Sequence, residues 1–485
     1  MLVLVFVVCL VVLSVWRRVR SKNLMPPVVP GALPLIGHTH HFTEFEKIWN
    51  ILEQTSLFTL NNGGISIIKI CEYNAYILTD PDLSLMAYNI CLNKMYFYHF
   101  TDDLVANGLI TSEAQTWKIH RKLINPAFNQ QNLNNFIDEM NVQAKRLVSE
   151  LSTTLGKSVN MRKPLVRYTM NITSRTTLGL NAEDQTLVEK DYAHAFELLS
   201  VLYYQRATKP WLHLPFFFKR SALKRKQDKL TETVKNILTP IIQKRRLEMK
   251  MNSYINNEND DKFQPVLNRL LHLADEQNAF TDTEIREHLN TFVIAAYDTT
   301  TVSLTLILMM IGWHKDVQER IYNEIQEVLN NEDRDFTKND LPKLVYLEAV
   351  IKETLRLYPT VPYIGRTVNR DIALGKYTLP AGSTCAISLY GIHRHPMWGK
   401  DADQFIPDRW LDPARLPNHP NAFVAFGVGK RYCIGKQYAM MVMKTVIGHI
   451  VNQYHVHSDL SRLKFQYEVV LQPTKGHRIT YTKRT

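Results

Sequence analysis

One stretch of the 485-residue chain constrains the fold more than any other, and it is the long apolar segment that follows Thr281. Thr281 and Glu284 have the spacing of a capping box, and Phe280 and Ile285 have the spacing of the accompanying hydrophobic staple. A helix is therefore predicted to begin here. It can continue to about Gly312, which gives a length of about 48 Å.

Asp298 is the only charged residue between Thr291 and Trp313 of this helix. The polar run at residues 297–303 is unsuited to lipid, where a central Asp costs about 2.5 to 3.5 kcal/mol. The segment is therefore predicted to be the central helix of a large core. Two interpretations stay open, because a buried carboxylate needs a partner or a task. Either Asp298 and Thr299 relay protons, or Asp298 pairs with an arginine and Thr299 bonds back to its own helix.

The rest of the chain predicts a mainly α fold with small β-sheets. Helical periodicity predicts helices at residues 136–151, 231–249 and 343–357. Alternation of apolar residues predicts a strand pair within 63–80, and the polar segment 252–262 is predicted to be an exposed loop. With 45% hydrophobic and 21% charged residues, the chain is neither disordered, collagen-like nor of low complexity. Its five scattered cysteines support neither a disulfide framework nor a zinc site, so we expect a reducing compartment.

The amino terminus is predicted to be a membrane anchor. Residues 1–16 are uncharged and end at a basic cluster, so a helix of about 24 Å would place everything after it in the cytoplasm. A cleaved signal needs a preceding basic region and a small-residue cleavage site, and this segment has neither. We therefore expect an anchor at 1–20, a basic, proline-rich hinge at 21–37 and a single domain at 38–485.

The formal charge of +12 suits anionic lipid or an acidic protein partner. Nucleic acid is not expected as a partner, because the chain has no zinc-finger spacing and no RNA-binding aromatic signature. Residues 211–218 are aromatic and are edged by Lys and Arg. That pattern is typical of a loop that dips into a lipid interface, and burial in the core is the alternative.

A second diagnostic segment, residues 426–435, has the arrangement F-x-x-G-x-R-x-C-x-G. Cys433 precedes a helical pattern that starts at Lys436, so its sulfur is expected near a helix N-terminus, where the dipole and N–H groups favour thiolate. Arg431 can pair with an anionic substituent, and Phe426 can shield the sulfur from water. The glycines let the backbone pass close to a large flat ligand.

Taken with four other segments, this motif resembles the cytochrome P450 family of haem-thiolate monooxygenases. The segments are Ala295–Thr300 for the oxygen-activation motif, Glu353–Arg356 for E-x-x-R, Phe405–Trp410 for the P-E-R-F segment and Trp117–Arg121 for W-x-x-x-R. The likeness is greatest to the microsomal family-4 lineage, including its insect-type members. It implies the cytochrome P450 fold behind the anchor, with residues 38–485 as a single haem-binding catalytic domain.

The resemblance also implies roles for individual residues. Cys433 would be the metal ligand, and haem b would be held by Trp117, Arg121, Arg366, Phe426, Arg431 and Cys433. Asp298 and Thr299 would deliver protons to oxygen. Glu353, Arg356 and Arg409 would form a structural salt-bridged triad.

Some positions depart from the family pattern. Ala296 stands where Gly is usual, and Asp408 and Trp410 replace the usual Glu and Phe. Several family-4 members carry a Glu that esterifies the haem, and this chain has Ala295 there. We therefore expect haem held without a covalent ester.

The implied activity is insertion of one oxygen atom of O2 into a lipophilic substrate that is fatty-acid-like, hormone-like or xenobiotic. Electrons would come from NADPH through NADPH-cytochrome P450 reductase, with cytochrome b5 as a second candidate donor. The expected location is the endoplasmic reticulum membrane, with the catalytic domain in the cytoplasm. The alternatives are a lipid-hydroperoxide isomerase or dehydratase of the same fold, or a non-catalytic haem-binding or lipid-binding protein.

Overall fold

A computed structural model describes residues 24–42, 44–71, 73–181, 188–255 and 263–484. The predicted anchor at 1–20 lies outside the described residues. Among those described, one helix, Asp282–Trp313, is long and apolar enough to cross a membrane, and 78% of its apolar window is buried inside the protein. The prediction of a central core helix in this position is therefore confirmed.

The described part of the chain is mainly helical, as predicted. Its α-helices, in chain order, are α1 (Phe45–Asn61), α2 (Pro81–Ile90), α3 (Asp102–Val105), α4 (Ala114–Ile124), α5 (Gln130–Asn134), α6 (Ile137–Ser152), α7 (Arg162–Thr173), α8 (Ala193–Thr208), α9 (Pro215–Arg220), α10 (Ala222–Ile255), α11 (Val266–Gln277), α12 (Asp282–Trp313), α13 (Lys315–Leu329), α14 (Val345–Leu357), α15 (Leu389–Ile392) and α16 (Lys436–Gln453).

The strands are short and form small sheets. They are β1 (Ile65–Ile70), β2 (Tyr73–Leu78), β3 (Val159–Asn160), β4 (Tyr363–Thr367), β5 (Ile372–Leu374), β6 (Tyr377–Leu379), β7 (Thr384–Ser388), β8 (Tyr454–Ser458), β9 (Lys464–Tyr467), β10 (Leu471–Lys475) and β11 (Arg478–Lys483). The sheets have the strand orders β1-β2-β7-β4, β3-β11-β8, β5-β6 and β9-β10. Within them, the β2–β7 pair is parallel.

The chain divides into two compact units. The first contains the described residues up to Tyr96, 361–404 and 416–432, and the second contains 97–360, 405–415 and the described residues from Cys433 onward. The first unit holds the four-stranded sheet, whose apolar face buries Ile67, Leu78 and Ile387 almost completely.

The second unit is built around α12. The capping box of Thr281 and Glu284 is present, and Phe280 and Ile285 are both buried beside it. Helices α7, α11, α13, α14 and α16 and strand β8 all pack on α12. Because almost every side of α12 is covered by protein, its apolar stretch from Thr291 to Trp313 is buried without lipid.

The described part of the proline-rich segment pairs with β1, since Val29 N–H donates to Ile67 O and Ile67 N–H donates to Pro27 O, both at 2.9 Å. Proline lacks an N–H but still offers its carbonyl, so it can border a strand. The predicted loop at 252–262 begins too early, because α10 continues to Ile255.

Candidate haem-thiolate site

Cys433 lies directly before α16, the helix that its sequence pattern predicted. Gly435 is the N-cap residue, and its backbone N–H bonds to the Cys433 thiol. The side chain is accessible to solvent. A thiol that sits at a helix N-terminus and is open on one side has the position a metal ligand needs.

The electrostatics of Cys433 are a balance of opposed effects. Protein atoms surround the sulfur closely enough that burial raises its pKa, although the Gly435 N–H and the cations Arg121 and Lys436 lower it. The helix terminus thus favours the thiolate as expected. Burial has the larger effect, so the pKa of the thiol in the protein without a bound metal is raised. A coordinating metal ion deprotonates such a thiol outright.

Trp117 and Arg121 lie one helical turn apart on α4, and both side chains are buried. The Arg121 Nε donates to Asn125 Oδ1 at 2.7 Å. Arg121 lowers the pKa of Cys433, so its charge lies close enough to act on the thiol. The second unit therefore contains three of the predicted haem-binding residues, Trp117, Arg121 and Cys433.

The first unit holds a collection of cations. Arg366 on β4 is 1% exposed, its Nη1 donates to Gly365 O at 2.9 Å, and its guanidinium faces the Tyr88 ring at 5.0 Å. Its Nε is buried and makes no hydrogen bond to any residue that the structure describes. Burial, Arg366 and Arg431 together lower the pKa of Lys94 far below its usual value. Buried cations with an unsatisfied donor fit the carboxylate side chains of haem.

Phe426 belongs to the same unit as Arg366 and Arg431 and is half-buried. The backbone next to it turns at Gly427 and Gly429, whose φ values are 74° and 70°. A Cβ at position 429 would lie 3.1 Å from Tyr88 Cβ, so the positive φ favours glycine here and the neighbouring atoms leave little room for a side chain.

The salt-bridged triad is complete within the second unit. Arg356 Nε donates to Glu353 Oε2 at 2.8 Å, and Arg409 Nε donates to Glu353 Oε1 at 3.0 Å. All three side chains are at most 1% exposed. Glu353 also accepts from the Trp410 indole and the Ile406 N–H, each at 3.0 Å. Every lone pair of the buried carboxylate thus has a partner, which is the condition under which a buried ion pair is tolerated.

Asp298 and Thr299 lie in the middle of α12. The Asp298 carboxylate is 3.7 Å from the guanidinium of Arg162, and the Thr299 hydroxyl donates to Ala295 O at 2.7 Å. Burial raises the pKa of Asp298, Arg162 opposes that rise and Glu197 adds to it. Both features of the structural alternative are therefore present, and they leave the carboxylate able to take up a proton.

Several residues of these sites were missed in the sequence. Arg162 and Glu197 come from helices α7 and α8, and nothing near them in sequence connects them with Asp298. Lys94 carries no motif. For Trp410 a signal existed, because an indole in place of the usual Phe adds an N–H that needs an acceptor.

The second unit combines a cysteine at a helix N-terminus with a buried acid on its central helix, as the resemblance to haem-thiolate oxidoreductases implies. Three comparisons give the family. The Cytochrome P450 family profile matches residues 26–481. Cytochrome P450 4c21 of Blattella germanica is 30% identical over 493 residues, which are 97% of this chain and 96% of the relative. Cytochrome P450 4V2 of Homo sapiens is 28% identical, with 98% and 94% covered.

The fold is also shared with a solved structure described as cytochrome P450DA heme domain. The two have a TM-score of 0.81 and 22% sequence identity, with 96% of this chain and 98% of that chain covered. The chain belongs to the cytochrome P450 family and is a monooxygenase of the oxidoreductase class.

Proposed function

We propose that this protein inserts one oxygen atom of O2 into a lipophilic substrate, with electrons from NADPH delivered by NADPH-cytochrome P450 reductase. The observation that carries the proposal is the accessible Cys433 thiol at the start of α16, with Arg121 beside it. The family profile spans residues 26–481, which supports residues 38–485 acting as one catalytic domain. A fatty-acid-like, hormone-like or xenobiotic substrate is expected from the likeness to family-4 relatives.

Each predicted haem-binding residue has a distinct task in this proposal. Cys433 would ligate the haem iron through its sulfur, and Phe426 would limit the access of water to that sulfur. Arg121, Arg366 and Arg431, with the Trp117 indole N–H, would bind the haem carboxylates. Haem ligated by a thiolate supplies the electron density that favours cleavage of the O–O bond.

Asp298 and Thr299 supply the protons that oxygen reduction consumes. The raised pKa of Asp298 suits a general acid, because such a group works best when its pKa lies near the operating pH. Thr299 holds its hydroxyl against its own helix, where its oxygen can accept a further hydrogen bond. An isomerase of lipid hydroperoxides would need no such pair, and a passive haem or lipid carrier would need none either.

Location at the endoplasmic reticulum membrane is part of the proposal. Trp211, Leu214, Phe216 and Phe217 are all more than half exposed, beside basic residues of α9 and α10. Aromatic side chains with flanking cations are typical of a segment at a lipid interface. Two of the predicted interface residues, Leu212 and Phe218, are instead buried. The net charge of +12 suits docking of an acidic flavin domain, with cytochrome b5 as a second donor.

The decisive experiment is the spectrum of the full-length protein after reduction in the presence of carbon monoxide. We expect the red-shifted absorption band of thiolate-ligated haem, and we expect Cys433→Ser to abolish it. Cys71→Ser is the matched control, because Cys71 is the other exposed cysteine among the described residues and its loss should leave the band intact. A band that persists in Cys433→Ser contradicts the ligand assignment.

A second measurement separates the monooxygenase from its alternatives. With reductase and a panel of fatty acids, hormones and xenobiotics, we expect consumption of NADPH that depends on the added compound. An isomerase or dehydratase would convert lipid hydroperoxides without NADPH. A carrier would give the spectrum without consuming NADPH at all.

A further inference from the structure

A cavity of about 210 Å³ opens on one flank of α12, inside the second unit. It is large enough for several water molecules. Its walls come from α7, α8, α12, the turn between β9 and β10, and β10 itself. The polar and charged residues that line it are Arg162, Glu197, Ser200, Tyr297, Asp298, Glu468 and Gln472.

Arg162 bridges two of the carboxylates in this cavity. Its Nη2 is 3.3 Å from Glu197 Oε1 and 3.7 Å from Asp298 Oδ1. The Asp298 side chain is 11% exposed and that of Glu197 is 47% exposed. The acid of the central helix therefore faces water-accessible space on the cavity side, and a cation holds it there.

Glu468 is the third carboxylate, and the turn between β9 and β10 carries it to the wall of the cavity. It is half-buried, and Gln466 Nε2 donates to its Oε1 at 2.8 Å. Burial raises the pKa of Glu468. Arg162 lowers it, and Asp298 and Glu197 raise it further. The negative charges of Asp298 and Glu197 therefore oppose ionisation of Glu468.

We propose that Glu468 takes up protons from solvent and passes them across this cavity to Asp298, while Arg162 positions the Asp298 carboxylate to receive them. This inference rests on the proposed function, because a proton supply matters only where oxygen is reduced. In each transfer the O–H bond of the Glu468 carboxyl breaks, a water chain carries the proton, and an O–H bond forms on Asp298. Glu468 then regains a proton from solvent.

The two candidate donors differ in ways that favour Glu468 over Glu197. The Glu197 side chain is about half exposed, and its carboxylate is already engaged by the Arg162 guanidinium at 3.3 Å. Glu468 accepts a hydrogen bond from the neutral amide of Gln466. Burial and the neighbouring carboxylates raise the pKa of Glu468. Tyr297 is the remaining titratable group on the cavity wall, and burial raises the pKa of its hydroxyl so far that it stays protonated.

A spectroscopic test needs no turnover. In the haem-loaded protein, infrared pH titration follows the carboxylic acid C=O stretch, and Glu468→Gln should remove one band that titrates above the usual glutamate range. Asp298→Asn should move the midpoint of the Glu468 band to lower pH, because a neighbouring negative charge is gone. If Glu468→Gln removes no such band, or Asp298→Asn leaves the midpoint in place, the relay is overturned.

A kinetic test follows NADPH-driven oxygen consumption with reductase in H2O and in D2O. Glu468→Gln should slow it several-fold, less than the ~100-fold loss expected for removal of a general acid itself, and should raise the solvent isotope effect. Glu468→Asp, which keeps a carboxyl, should recover part of the rate. Glu197→Gln is the matched control on the same cavity wall and should leave the isotope effect unchanged.

The possible failures can be told apart. If the wild-type protein consumes no NADPH, the proposed function falls and this inference falls with it. If the wild type is active and Glu468→Gln matches it, the relay alone is wrong. If Glu468→Gln and Glu197→Gln have equal effects, both residues act only through their interaction with Arg162. That outcome also overturns the relay.

Discussion

At the scale of single residues, the site shows that a structural bond and a functional role are compatible in one side chain. The Thr299 hydroxyl bonds to Ala295 O, and Asp298 pairs with Arg162 at 3.7 Å. Each side chain can form further hydrogen bonds. The Thr299 oxygen can accept as well as donate, and the 3.7 Å ion pair leaves carboxylate oxygens of Asp298 able to accept. The sequence alone could not decide between the two interpretations because both describe the same atoms.

Removal of the Thr299 hydroxyl tests its role directly. We expect Thr299→Ala to divert electrons into hydrogen peroxide, because the hydroxyl that would pass a proton to the bound oxygen is removed. Haem content and thermal stability should change little, since a bond back to the helix carbonyl adds almost nothing to helix stability. The measurement is peroxide formed per NADPH consumed, and an unchanged ratio contradicts the assigned role.

Asp298→Asn should separate activity from stability. Since the folded protein raises the pKa of Asp298, its charged form is disfavoured, and the folded state loses stability as pH rises from about 4, the unfolded value, through the folded pKa. The variant should therefore lose turnover but melt higher than the wild type at pH 8, with a smaller gain at pH 5. Melting curves at both pH values check the sign, and a lower melting temperature at pH 8 contradicts it.

At the scale of elements, one short helix is fastened to two long ones by a single carboxylate. Asp103 of α3 accepts from the Tyr203 hydroxyl of α8 at 3.1 Å. It also accepts from Gln227 at 2.8 Å and Thr231 at 3.0 Å, both on α10. A helix of four residues is too short to be stable by itself, so α3 depends on these hydrogen bonds to other helices.

We expect Asp103→Asn to loosen α3 without unfolding the protein. The neutral amide replaces charge-assisted bonds with weaker ones, so amide hydrogen exchange over residues 102–108 should rise about threefold or more. Asp102→Asn is the matched control, because Asp102 on the same helix contacts the exposed His99. Equal exchange in the two variants would show that Asp103 does not hold the helix.

The contrast between elements and sites shows what the sequence could predict. The capping box of Thr281, the strand pair at Ile65–Leu78 and the helix after Cys433 depend on neighbours in sequence, and the structure confirms all three. The partners of Asp298 come from α7 and α8, which periodicity cannot bring together. Patterns record which face of an element is buried, but not which charge on another element it meets.

At the scale of the whole molecule, a buried pair of histidines, His120 and His288, affects the stability of the protein in acid. His288 Nε2 and His120 Nδ1 are 3.0 Å apart in the second unit, among the rings of Phe280 and Phe292. Burial, with a smaller contribution from His120, lowers the pKa of His288 to about 3. Burial also lowers the pKa of His120, against the opposing charge of Glu284.

The sign of the pH dependence follows from that shift. Below pH 6.5 the unfolded chain binds a proton at His288 and the folded protein does not, so stability is complete above 6.5 and is lost as the pH falls toward 3. The loss approaches about 1.4 kcal/mol per pH unit for one histidine. His288→Gln, which does not titrate, should therefore flatten the decline in melting temperature between pH 6.5 and 5, whatever its effect at pH 7.5. His272→Gln, which removes a partly exposed histidine of α11, is the control. Parallel curves for all three proteins would show that the buried pair does not govern acid stability.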